Sequence, residues 1–222
     1  MNTSESQFQA LADINNEFHR PIFDGIVDEE RFYLQEFPVL WILKEPWEKL
    51  GENVIGGGWS VTQDLLLNAD FTSNRGTFPP MAYVAYSILH DFISCESIPK
   101  MTQDLRVRDA LRTIAYINIK KFPGKTRANY KIINEYFHKY KDFLFSQIKE
   151  IDPKIVICGG TGHYIVNTYG LSPKPIVDKG PACCEFDGRN WIFAYHPSQT
   201  TIGKKQYVDG ITNTIKAMTA KP

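Results

Sequence analysis

The chain has 222 residues, with 25 basic and 25 acidic side chains, 43% apolar and 13% aromatic residues. That length suits one domain spanning residues 1–222, and this apolar and aromatic content can build a core, which excludes a disordered chain. With 15 glycines and 13 prolines the collagen-like and low-complexity classes fall away. The balance of charges removes the simplest argument for a nucleic-acid partner, although phosphates respond to a local basic face rather than to the molecular total.

Residues 1–36 are polar with scattered apolar positions and predict an N-terminal helical extension packed on the main body. Their beginning lacks the basic-then-apolar build of a signal peptide, and no apolar run approaches the roughly 20 residues of a membrane span. The expectation is a soluble, cytoplasmic monomer with no membrane partner. The run Pro38–Pro46 is continuously apolar until Lys44-Glu45-Pro46 and predicts a buried strand with its exit loop. A glycine loop at 56–58 leads into a predicted helix from Trp59 to Asn68, and a second helix is predicted over 80–95 after Pro79-Pro80.

Residues 113–118 predict the next strand, and 128–150 carry apolar residues at helical spacing up to Asp152-Pro153. Residues 154–160 predict a third strand ending in a glycine turn. Segments 182–186 and 190–195 flank Asp187-Gly188 as a hairpin, whose second arm is the last sheet strand. A final helix starts near Lys204, with Val208, Ile211, Ile215 and Met218 on one face. Apolar strands separated by long helices predict an α/β fold: three αβα layers around a mainly parallel four-stranded sheet.

Cys95, Cys158, Cys183 and Cys184 show no CxxC pair or metal-ligand spacing, so they read as buried thiols, with no metal and no cofactor expected. The turn Gly159-Gly160-Thr161-Gly162 lacks the spacing of a dinucleotide fingerprint, and no GxSxG or P-loop is present. An unrelated hydrolase or transferase of small molecules is thereby disfavoured.

In open α/β sheets, ligands bind beyond the carboxyl ends of the strands. There the sequence offers Glu45 after the first strand, Asn118 at the end of the second, and His196-Pro197-Ser198 after the last. Ser198, Gln199, Thr200 and Thr201 precede a helix, where hydroxyls and backbone N–H groups suit a phosphate. Lys204 and Lys205 follow them, and Lys120, Lys121, Lys125 and Arg127 follow Asn118; these predict contacts to a DNA backbone. Lys44 either pairs with Glu45 or reaches a phosphate.

Taken in order, Glu45-Pro46-Trp47, Gly58-Trp59-Ser60-Val61, Tyr116-Ile117-Asn118 and His196-Pro197-Ser198 resemble the motifs of the uracil-DNA glycosylase superfamily over residues 38–218. The resemblance implies that fold, DNA as partner, and hydrolytic excision of uracil or a related base in base excision repair. It makes Glu45 the water-activating acid and His196 the electrophile, with Asn118 reading the pyrimidine edge. Trp59 would stack on the extruded base, and Trp47 would wall the pocket against a 5-methyl group. The chemistry suits these residue types. An Asn amide offers a donor and an acceptor to the O4 and N3–H of uracil, and a base must leave the stack before its glycosidic bond is reachable. The chain departs from the pattern in carrying Glu where better-known branches have Asp, and Gln-Thr-Thr after the His-Pro-Ser. These departures leave a second expectation, a catalytically silent nucleic-acid- or nucleotide-binding module on the same fold.

Overall fold

The computed structural model describes residues 19–67 and 76–220. Within them six strands form one sheet in the order β1-β3-β2-β4-β6-β5. The strands are β1 (Gly25–Ile26), β2 (Val39–Leu43), β3 (Ile114–Asn118), β4 (Ile155–Gly159), β5 (Ala182–Phe186) and β6 (Arg189–Ala194). The middle four run parallel, with Leu43 opposite Asn118 and Gly159 opposite Ala194. β2, β3 and β4 are buried throughout, as their largely apolar runs require of strands covered on both faces.

Alternate strand residues feed two apolar clusters, one on each face of the sheet. Val39, Trp41, Leu43 and Tyr116 meet helices α3 (Phe78–Leu89) and α7 (Lys204–Thr219). Leu40, Ile42, Ala115 and Ile117 meet α5 (Tyr130–Ile151) and α6 (Gly162–Tyr169). Three shorter α-helices, α1 (Glu29–Tyr33), α2 (Val61–Leu67) and α4 (Leu105–Asp109), and two 3₁₀ turns, Cys95–Ser97 and Ala110–Thr113, complete the set among the described residues. The sheet is therefore mixed and six-stranded, not four-stranded. The expected parallel strands form its middle, and an antiparallel strand is added at each edge.

Local chemistry explains the element ends. The Asn129 side chain accepts from the Lys131 and Ile132 N–H groups and starts α5, while Asp152, with φ 47°, ends it before Pro153. Pro79 and Pro80 sit in the first turn of α3, where a missing N–H costs nothing. That helix ends at Leu89 rather than 95 because Asp91 and Phe92 take positive φ. α2 begins at Val61, two residues later than expected, because the Trp59 carbonyl and the Val61 N–H both pair with Phe23; the expected end at Asn68 lies outside the described residues. Of the expected N-terminal extension, residues 1–18 also lie outside them, and 19–36 contain β1 and only the single turn α1. No helix among the described residues is long and apolar enough to cross a membrane.

Candidate active site

β2 has β3 on one side and β4 on the other, so the chain reverses direction across the sheet at that point. A cavity of about 430 Å³ opens beyond the carboxyl ends there, within the range of roughly 300–1,000 Å³ usual for small-molecule sites. It gathers Glu45 and Trp47 from the exit of β2, Tyr116 from β3, Phe78 from the start of α3, and His196 and Ser198 from the loop after β6. A larger cavity of about 630 Å³, beyond β4 and β6, holds none of the expected site residues. Chemistry, not size, selects the first.

The Glu45 side chain is largely buried, only 8% exposed. Lys120 Nζ donates to its Oε2 at 3.0 Å and to the Pro123 carbonyl at 2.7 Å. Oε1 takes no hydrogen bond among the described residues, and is the oxygen left for a water. Gly124 packs against the carboxyl group, where an added Cβ would collide with the Glu45 Cδ and Cγ atoms. Lys44 does not pair with Glu45; its ammonium reaches the Tyr130 hydroxyl at 3.4 Å and lies 5.0 Å from that ring's centre.

His196 is oriented by its own loop. The Ser198 backbone N–H donates to Nδ1 at 3.2 Å, and the Ser198 hydroxyl lies 2.8 Å from the same nitrogen. Nδ1 is thus an acceptor, and the neutral ring carries its proton on Nε2. Burial, and after it the Lys44 ammonium, push the His196 pKa down to about 4. The ring is therefore uncharged at neutral pH. Gly160, with φ +73°, lets the chain pass close behind it: an added Cβ there would lie 3.2 Å from the His196 Cβ. Because the folded state resists this proton while the unfolded chain takes it near 6.5, the group removes stability as pH falls from about 6.5 to about 4. In an NMR titration the His196 midpoint is expected near 4. Lys44→Met should raise it but leave it below the ordinary histidine value, since burial is the larger cause; a midpoint near 6.5 in the unmodified protein would contradict this environment.

Asn118 is fully buried at the end of β3. Its Oδ1 accepts from the Tyr116 hydroxyl at 3.1 Å, and its Nδ2 has no partner. Asn118 does not itself line the cavity; either assignment of its amide leaves one polar atom unpaired, behind a tyrosine that does line it.

Several expected contact residues have partners of their own. Trp59 does not line the cavity: its indole N–H donates to Glu48 Oε2 at 3.1 Å, and its ring packs on the core. Phe78 and Tyr116, with ring centres 6.0 Å apart, are the aromatics present there together with Trp47. Lys121 cannot meet a phosphate because it is buried against Asp24 at 2.9 Å. Lys120 is held by Glu45, Lys205 by Glu96 at 2.5 Å, and both amide atoms of Gln199 by the Ile202 backbone. Lys204 lies 3.8 Å over the Tyr83 ring, and Thr200 is exposed. Phe78 carried no signal as a site residue because it reads as the start of a helix.

The cavity is continuous in lining with a groove of about 940 Å³, since Trp47, Lys125 and Thr126 belong to both. Neither a family model nor a curated protein matches the chain.

Proposed function

We propose that this protein is a DNA glycosylase of the uracil type, on the fold of the uracil-DNA glycosylase superfamily, which extrudes a base and hydrolyses its N-glycosidic bond. The observation that carries the reading is the meeting of Glu45 and a neutral His196 in one aromatic-walled cavity, from loops 151 positions apart in sequence (196 − 45). A groove that widens past Trp47 suits a polymer better than a free metabolite.

In this reading the flipped base enters against Phe78, Tyr116 and Trp47, and the buried Asn118 amide reaches its Watson–Crick edge once the Tyr116 hydroxyl that covers it gives way. Glu45 Oε1 orients a water toward C1′. The C1′–N1 bond breaks with its electron pair leaving on the base, while the water oxygen bonds C1′ and releases its proton to the carboxylate. The His196 Nε2–H faces the developing charge of the base and stabilises it without a proton transfer. The Lys120 ion pair on Glu45 favours a second reading, a silent nucleic-acid-binding module on the same fold, because it occupies one of the two carboxylate oxygens.

A single-turnover assay on uracil-containing oligonucleotides, single- and double-stranded, with alkaline cleavage of abasic sites, separates the two. Uracil release is the expected result. Binding without release would favour the silent module, and neither binding nor release would overturn both.

A further inference from the structure

Several lysines expected to meet a phosphate already have a carboxylate partner. Lys120, Lys121 and Lys205 each face a carboxylate, on Glu45, Asp24 and Glu96. Lys44 and Lys125 also belong to the site, for both line the cavity, but neither has a carboxylate within ion-pair distance among the described residues. Lys44 is half-buried, and the Tyr130 ring steers its ammonium without neutralising it. Lys125 is exposed where the cavity joins the wider groove. In a protein of zero net charge, two unneutralised ammonium groups lining one cavity favour an anion there.

We propose that Lys44 and Lys125 form the phosphate grip of this site and bind the phosphates that flank the extruded nucleoside, in place of the lysines after the His-Pro-Ser loop. The Tyr130 hydroxyl accepts from Lys44 and keeps its own proton free for the same phosphate oxygen. The grip rests on the functional reading above for the identity of the nucleoside, but not for the phosphate chemistry itself. A lysine acts there as a point charge, so it adds affinity and register without base preference.

The test is the salt dependence of binding to an oligonucleotide carrying a tetrahydrofuran abasic analogue. Each of Lys44→Met and Lys125→Met should reduce the slope of log K against log salt by about 0.9 on duplex, or about 0.7 on a single strand. Lys44→Arg should retain the slope, and Lys205→Met, whose partner is Glu96, should leave it unchanged. Unchanged slopes in both Met variants would overturn the grip even if uracil is excised. Slopes lowered in the Met variants without excision would retire the glycosylase reading and leave the grip standing.

Free nucleotides supply a second arm that needs no polymer. Deoxyuridine monophosphate should bind more tightly than deoxyuridine, and Lys44→Met should reduce the difference. Equal binding of the two together with no oligonucleotide binding, or no binding of any probe, would overturn the proposal. A nucleotide preference without oligonucleotide binding would retain the grip and assign it to a free nucleotide.

Discussion

Glu45→Gln is expected to slow single-turnover uracil release by about 10²- to 10⁴-fold, the contribution of a positioned acid–base group. Glutamine keeps the shape, so the loss would report the carboxylate's charge and basicity rather than its packing. His196→Ala should lose about 10²- to 10³-fold by removing the donor to the leaving base. Gly124→Ala offers an independent route to the same carboxylate: its methyl group would occupy the space of the Glu45 side chain. It should lower the rate with the fold intact, since Gly124 is not among the positive-φ glycines. Full rates in both Glu45→Gln and His196→Ala would show that the reacting group lies elsewhere.

The largest effect on stability is expected at Asp24, a residue that touches no substrate in this reading. Its buried carboxylate accepts from Lys121 Nζ at 2.9 and 3.0 Å, from the Asn118 backbone N–H at 2.8 Å and from Gln147 Nε2 at 3.3 Å. Asp24→Ala leaves the Lys121 ammonium buried without a counter-charge and should cost about 3–5 kcal/mol in urea unfolding. The double variant Asp24→Asn with Lys121→Met should recover much of that loss, because no uncompensated charge remains. If the double variant lost as much as the two single variants added together, the pair would not be coupled. Since Asp24 also fixes the backbone at Asn118, the surviving single variant should weaken base recognition before it changes the response to salt.

The sequence carried the strands and their exits well because three of them are largely apolar runs stopped by charge, proline or glycine. The convergence of Glu45 and His196 followed from the rule that parallel strands present their carboxyl ends together. What it hid was decided by partners far along the chain. Lys121 and Lys120 read as surface lysines, and only the fold brings Asp24 and Glu45 to them. Trp59 sits where the motif order expects the stacking aromatic, but Glu48 draws its indole away, and Phe78 enters from a helix start instead. β1 is two residues long, too short for any periodicity to show.

That short strand and its counterpart at the far side bear on how the molecule behaves at high concentration. The outward backbone of Cys183 in β5 is already engaged, donating to and accepting from Lys174 at 3.0 and 3.1 Å. The next outward position is Glu185, a charge where an incoming strand would have to dock. On the opposite flank, β1 offers only Gly25 and Ile26. Among the described residues, an invading chain therefore meets no long, flat template on either border, so the margins of the sheet guard it against edge-to-edge aggregation.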